Sequence, residues 1–522
     1  MLRKRGSMPT NGPRSELVLH WPGSPPSFNP FSNLSMPSWF PIWFIFDQLV
    51  NLDGEARVGP QLAESWDVSA DGRRYTFHVR RHVTWHDGTP FSAEDVAFTY
   101  TMLVDPRSTS RYQSLALPIK GAEAYAAGDA ATVEGISVAD DYTVVMELAE
   151  PHFGFLATMA FPIVPKHILE HVAAGERVED TEWSLRSPVG TGPFRISSFE
   201  PGGDAVFVAN EAYWGGAPNL DGLVLRRLDD EAALVAFAAG DIDVMFIDAL
   251  DADRARERPG ARVEAFRTCE WRTIIFNHSH PALGDRRVRE AVVRAIDREA
   301  IVRDVYQGMG EVIGSPLIMP EWAVNHRLDS QYPYDPEGAR ALLAEAGFAE
   351  GFRVDLVTGP GAIPARHNAP FLGEVQRYLA DIGIDLVLNI KPIVEYVEDY
   401  ENSRFDVYTC CGASGPDPDF TAIYFHSSSM PPKGSNGARY VSAEADELLL
   451  RGRAAADPEE RAAVYHRYAE VLTHDLPWAA LWHENRVLAL AEGVGGDFTE
   501  LGMSWLPGTI PGSWQWTKNG AG

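Results

Sequence analysis

Apolar and polar residues alternate with a period of two through AESWDVSADGRRYTFHVRRHVTWHDG, and Asp71-Gly72 interrupts the alternation. A period of two places one set of side chains on one face of a strand, and Asp-Gly supplies the positive φ of a tight hairpin. The pattern predicts a β-meander over residues 58–86. VEGISVADDYTVVMELAEP (133–151) repeats the strand–turn–strand pattern, and SPVGTGPFRISSFEPGGDAVFVANEAYWGG (187–216) repeats it after a Gly/Pro turn. The period then lengthens. DEAALVAFAAGDIDVMFI (230–247) reads as a helix closed by Gly240 and followed by a strand, and RTIIFNHS (272–279) adds another strand. Helix followed by strand signals α/β layering.

The second half carries stronger helices. DRRVREAVVRAIDREAIVRDVYQG (285–308) has apolar residues at helical spacing and reads as one helix ended by Gly308. DPEGARALLAEAGF (335–348) has Asp335 as N-cap, Pro336 at the first helical position and Gly347 as its stop. A helix at 369–383 lies between the strands FRVDLVTG and DLVLNI. A last helix (457–478) ends at Pro477, and AALWHENRVLALA returns as a strand. No internal repeat or long linker interrupts this order.

Length and charge narrow the function. A chain of 522 residues implies two to four packed units. With 45 basic against 73 acidic side chains, the net charge of −28 argues against nucleic acid or an anionic membrane as partner. Aromatic residues (14 Trp, 17 Tyr and 25 Phe) suit a pocket that grips sugar rings or side chains, although most will fill the core. The three cysteines, Cys269, Cys410 and Cys411, have no zinc-type spacing, so the fold depends on its core. Residues 1–15 read as a disordered or vector-derived leader without an apolar signal-peptide run, and PSWFPIWFIFDQLV (37–50) is too short and too proline-interrupted to span a bilayer. An export signal trimmed or mis-started, and a cytoplasmic location, both remain open at this point.

The segment TWHDGTPFSAEDVAFTY (84–100) invites a reading as an acid–base or metal site. On a strand, however, His82 and His86 would lie about 13 Å apart, too far to share an ion. Asp87-Gly88 is a turn dipeptide, and Ser92 with Asp95 forms a capping-box variant at a helix start. NHSH (277–280) reads as a histidine-bearing loop, GTG (190–192) is too short for a phosphate loop, and Cys410 and Cys411 have no motif-linked histidine. No H-E-x-x-H or G-x-S-x-G motif occurs. The expectation is a non-enzyme with no catalytic residue, metal or cofactor.

VGPQLAESWDVSADGRRYTFHVRRHVTWHDGTPFSAEDVAFTYTML resembles the signature region of the family-5 extracellular solute-binding proteins of ABC importers, the oligopeptide, dipeptide and nickel group. Further matches follow in order: the segment from Ser187 to Val244, then FNHSHPALGDRRVREAVVRAIDREAIV and YPYDPEGARALLAEAGF, spanning roughly residues 17 to 490. The resemblance implies an α/β, two-lobed, hinged periplasmic-binding-protein fold of type II with an extra β-rich subdomain. The expected division is lobe I from 16–50, 184–265 and 490–522, an inserted subdomain at 51–183, and lobe II at 266–489. It also implies a periplasmic or cell-surface monomer that passes an organic ligand to membrane permease subunits.

In peptide-binding members an acid in the segment matching CCGASGPDPDF holds the α-ammonium group. Laying the family's W-x-x-D-x-x-D/E-P pattern on this stretch sets that acid opposite Ala413, next to Ser414, with Asp417 and Asp419 four and six positions later. That departure favours an oligosaccharide or an amine-poor, peptide-like compound over an ordinary peptide. Trp39, Trp43, Trp271 and Trp322 are the candidates for stacking on sugar rings, and Arg366, in a Gly/Pro-rich loop, for meeting a ligand carboxylate. An ordinary di- or oligopeptide-binding protein is the alternative, and a soluble hydrolase or transferase on the same fold is the rival from another class.

Overall fold

The computed structural model describes residues 15–23, 27–32, 36–172, 176–359, 365–431, 434–498 and 512–518, with the side chains at 36–38, 249 and 365–369 outside that description. Three larger sheets organise the chain. The first has seven strands, in the order Arg262–Phe266, Arg486–Leu490, Val244–Ile247, Glu16–Trp21, Gly222–Arg227, Ala205–Ala209 and Phe194–Phe199. Glu16–Trp21 runs parallel to Gly222–Arg227, with Glu16 opposite Gly222. The apolar segment after the first strand forms the helix Met36–Ile45, and its residues from Trp39 onward are buried on every side. A helix apolar all round belongs in a core. No described helix is long and apolar enough to cross a membrane.

The second sheet has four strands: Ala63–Val68, Arg74–Val79, Thr143–Glu147 and Ile136–Asp140. The expected hairpin forms, with Gly72 at a φ of 67°. The expected meander does not continue. Thr143–Glu147 takes the free edge of Arg74–Val79, and residues 80–90 fold into turns and an isolated bridge. His82 therefore sits exposed in a turn, and the strand spacing expected for His82 and His86 does not arise.

The third sheet has six strands, in the order Gly310–Val312, Trp478–Glu484, Glu270–Phe276, Val407–Ala413, Phe352–Thr358 and Ile384–Ile390. The last two run parallel and are joined through the helix Ala365–Asp381. The segment expected as one helix over 285–308 is two, Arg286–Ala295 and Arg298–Asp304. Asp297 leaves helical geometry and its carboxylate accepts the Ala300 N–H at 2.9 Å, so a local cap overrides the apolar period. Helix Pro336–Glu345 forms as its caps dictate: Asp335 accepts the Gly338 N–H at 2.8 Å, and Gly347 adopts a φ of 91°.

The returning segment expected as one strand is also two. Trp478–Glu484 lies in the third sheet, whereas Arg486–Leu490 pairs with Val244–Ile247 and Arg262–Phe266 in the first. The chain thus passes between these sheets twice, between Phe266 and Glu270 and again at Glu484–Arg486, four residues before the expected boundary at 490. The buried clusters divide at the same crossings. One unites residues between Leu17 and Phe266 with Leu488 to Trp516, and two others draw only on residues between Trp271 and Trp482. The result is a two-lobed α/β protein whose first lobe carries the inserted four-stranded sheet.

Candidate ligand cleft

The conspicuous residues at 84–100 find their partners within lobe I. The imidazole of His86 accepts the Gly190 N–H at Nδ1 (3.3 Å) and donates from Nε2 to the Gly192 carbonyl (2.9 Å), so the neutral ring with its proton on Nε2 fills both roles. Burial pushes its pKa down to about 4. The two glycines of GTG are required by packing: a Cβ on Gly190 would stand 2.0 Å from the Ile45 carbonyl oxygen, and one on Gly192 2.6 Å from that of Phe44. Asp95 accepts from the Ser92 N–H (3.0 Å), the Lys166 N–H (3.0 Å) and the Trp85 indole (3.4 Å). Asp87 meets His167 at 2.8 Å. The segment knits the inserted sheet to lobe I.

The opening in the molecule lies elsewhere, between the lobes. A cavity of about 1570 Å³ is lined by both crossings, both lobes and segments that flank the inserted sheet. At the crossings two ion pairs face it. Arg272 grips both carboxylate oxygens of Glu484 through its Nε–Nη2 edge, with Nη2 to Oε2 at 2.7 Å, and donates from Nη1 to the Cys411 sulfur at 2.8 Å. Arg486 reaches Glu270 at 3.3 Å and lies 5.6 Å over the ring of Phe246. Arg272 and Glu270 alternate with Trp271 along one strand, so the opposite face of that strand is aromatic.

That aromatic wall is built by Trp271, Tyr396, Tyr400, Tyr408, Tyr424 and Trp478. Trp271 packs on Trp478 at 5.7 Å, Tyr424 on Trp478 at 4.9 Å, and Tyr396 stacks on Tyr408 at 4.5 Å. Gly412 makes room for the Trp271 ring, which a Cβ would approach to 2.5 Å. The hydroxyls of Tyr396, Tyr400 and Tyr408 donate to the carbonyls of Thr409, Ser435 and Tyr396; Trp271, Tyr396, Tyr408 and Trp478 are buried and back the wall, while Tyr400 and Tyr424 keep partial exposure. Burial pushes the Cys411 thiol up to about 12 and raises that of Cys410 as well, which leaves both protonated at neutral pH. Acidic side chains outnumber arginines around the cavity as a whole. Among the described residues no cluster of three or more His, Cys, Asp or Glu side chains could hold a metal ion.

The residues singled out in the sequence part company here. Trp39, Trp271 and Asp417 line the cavity. Trp39 donates its indole N–H to Tyr112 at 3.1 Å, and Asp417 is held by Arg461 at 2.7 Å. Trp43 is buried in the lobe I core against Phe40, because its helix is apolar all round. Trp322 is 40% exposed and packs outside the cavity against Tyr465 and Arg461. Ala413 is buried opposite Glu270 in the strand ladder. Ser414 is buried too, its hydroxyl donating to the Pro316 carbonyl and accepting from the Ile318 N–H, so neither residue reaches the cavity. Arg366 falls in the first turn of Ala365–Asp381 rather than in a loop, and its side chain lies outside the described residues. Sequence reasoning missed the arginine–glutamate pairs and the tyrosine wall. The HENR tetrad at 483–486, with opposite charges at the junction of two strands, was the available signal.

Comparison with known proteins accounts for this architecture. The family model described as bacterial extracellular solute-binding proteins, family 5 middle, matches residues 57–431, more than half of the chain. The chain belongs to that family. Among curated members, this family-5 protein is 29% identical over 489 residues to the dipeptide-binding protein of Escherichia coli, covering 88% of this chain and 87% of the relative. It is also 29% identical over 471 residues to heme-binding protein A of Haemophilus influenzae, covering 87% and 84%. Among solved structures, the oligopeptide-binding protein AppA from Bacillus subtilis, in complex with a nonapeptide, superposes with a TM-score of 0.80 at 25% identity, covering 98% of this chain and 100% of that one.

Proposed function

We propose that this family-5 protein is the peptide-capturing component of an ABC importer, working outside the cytoplasmic membrane and handing its cargo to permease subunits. The observation that carries this reading is the cavity between the lobes. Its volume of about 1570 Å³ exceeds the roughly 300–1,000 Å³ that holds a single drug-sized molecule. It therefore has room for a chain of several residues. Arginine–glutamate pairs and tyrosine and tryptophan rings along its lining suit the alternation of backbone amides and side chains in a peptide.

The oligosaccharide preference drawn from the sequence gives way. It rested on the missing acid at Ala413, and of its four candidate stacking tryptophans Trp43 and Trp322 do not line the cavity. The relatives' names, dipeptide-binding and oligopeptide-binding, point the same way for those proteins. Because positions 413 and 414 carry no acid, the ammonium end of a peptide would be met by another wall carboxylate, with Glu270 at the crossing and Asp248 beyond Val244–Ile247 as the candidates.

A ligand that binds the closed form stabilises it only through contacts absent from the open one. The test is a thermal-shift panel of di- to pentapeptides, oligosaccharides, opines and metal chelates, followed by mass spectrometry of the bound compound. A ligand at a hundredfold excess over its Kd adds about 2.7 kcal/mol. Peptides should raise the melting temperature, sugars should not, and the peptide should be recovered uncleaved. A shift by sugars alone, or a cleaved peptide, contradicts the reading.

A further inference from the structure

A second tie joins the lobes, made by residues other than the crossings. It begins at the Asp71-Gly72 hairpin. The His152 N–H donates to the Gly72 carbonyl at 3.3 Å, and the Tyr75 hydroxyl donates to the His152 carbonyl at 2.7 Å. The Phe153 ring lies against Gly72, where a Cβ would come within 2.7 Å of it. His152, Phe153 and Gly154 are thereby presented as a fixed finger of the inserted sheet.

The finger touches lobe II at three points. His152 Nε2 stands 3.3 Å from Asp419 Oδ2, with side-chain exposures of only 8% and 10%. The Phe153 N–H donates to the Arg453 carbonyl at 2.9 Å. Gly154 lies over Asp417 so closely that a Cβ would stand 2.7 Å from its carboxylate. The receiving surface is itself fixed. Asp417 is held by Arg461 at 2.7 Å and accepts the Asp419 N–H at 3.0 Å, while Arg453 binds Asp419 at 2.8 Å. Asp417 therefore has little freedom to move aside.

We propose that His152–Gly154 and the Asp417–Asp419–Arg453 surface form a clasp that sets how far the cleft stays closed, and through that the affinity and dwell time of the ligand. The contacts exist only when the lobes meet, so their free energy adds to the ligand's own preference for the closed state. His152, Gly154, Asp417, Asp419 and Arg453 also line the ligand cavity, so the clasp forms part of its enclosure. Gly154 is the telling residue. Its φ of −80° suits any amino acid, so the backbone does not call for glycine. What calls for it is the carboxylate across the gap.

The inference rests on the binding-protein reading for its affinity arm alone. The experiment uses the full chain as wild type, Gly154→Val, Gly154→Val with Asp417→Ala, and His152→Gln, probed with an equimolar library of di- to pentapeptides. Gly154→Val should fold with an unchanged circular dichroism spectrum, scatter X-rays with a larger radius of gyration, bind peptides at least tenfold more weakly and release them faster. Adding Asp417→Ala should restore the smaller radius, and His152→Gln should weaken binding about threefold. If Gly154→Val fails to fold, His152→Gln carries the same two readouts. An unchanged radius in both single variants overturns the clasp, whether or not affinity falls. If wild type binds no peptide, the peptide reading fails while the scattering arm still decides the clasp.

Discussion

Residues 84–100 and the wall of the cleft use the same chemical groups in opposite ways. His86, Asp87 and Asp95 stand together in sequence, and each finds its partners within lobe I: the GTG glycines, His167, and the Ser92 and Lys166 amides. Around the cleft, Glu270, Arg272, Glu484 and Arg486 come from strands more than two hundred residues apart and pair face to face on a cavity. The first region is dense in motif and closed to ligand. The second has little motif and surrounds the space. Crowding of reactive side chains in sequence here ends in a segment tied up within one lobe, whereas the residues that surround the cavity converge from distant strands.

The sharpest way to break this contrast is to remove one cleft arginine. Arg272→Met leaves Glu484 without its bidentate partner, and a broken buried pair costs about 3–5 kcal/mol. Glu484 keeps some solvent, so the lower end is expected in urea unfolding, with ligand affinity falling as well. An unfolding free energy equal to wild type would show that the pair gives the cleft wall no rigidity.

His86→Ala comes next and should separate the regions cleanly. It leaves the Gly190 N–H without an acceptor, while the Gly192 carbonyl keeps the Asn210 side-chain amide at 3.0 Å, at a cost of about 2 kcal/mol, with peptide affinity unchanged. A loss of affinity at unchanged stability would place this segment in the site after all.

The pH dependence is a smaller effect with a definite sign. The folded pKa of His86 lies near 4, below the ordinary 6.5, so above pH 6.5 both folded and unfolded chains hold the ring neutral and no penalty arises. Between pH 6.5 and about 4 only the unfolded chain takes up the proton, and stability is lost as pH falls. Wild type should lose up to about 1.4 kcal/mol per pH unit more than His86→Gln over that window. Parallel stability–pH curves would mean that the imidazole titrates freely in the folded protein.

Tyr400→Phe should have the smallest effect. It removes one hydrogen bond to the Ser435 carbonyl, worth about 1 kcal/mol of stability, while the ring stays on the cavity wall and affinity holds within a factor of three. A tenfold loss by calorimetry would show that the hydroxyl, rather than the ring, meets the ligand.

The fold was legible wherever a local rule acted alone. The Asp71-Gly72 hairpin, the Asp335 cap and the Gly347 stop follow from backbone preference and neighbouring groups, and each appears as read. Two readings failed where a local cap or a tertiary pairing outweighed the period: Asp297 split a helix, and Thr143–Glu147 displaced the expected third strand of the meander. The split of the last strand at Asn485 was marked in sequence only by the polar HENR junction, and it is the partners of its two halves in different lobes that distinguish them. The site was legible least. Trp43 and Trp322 carry the right chemistry but point into a core or onto the outer surface, which composition does not reveal. The tyrosine wall depends on a helix (Ile393–Glu401) laying Tyr396 and Tyr400 one turn apart against Val407–Ala413.

The most direct test of the central claim is amide hydrogen exchange with and without the tightest-binding peptide of the panel. Protection should rise at 270–276, 393–401, 407–424 and 484–487, the lobe II and crossing segments around the cavity, and stay unchanged at 84–100. Protection gained at 84–100 with none along the cleft strands would contradict the assignment of the interlobe cavity as the place where this protein holds its cargo.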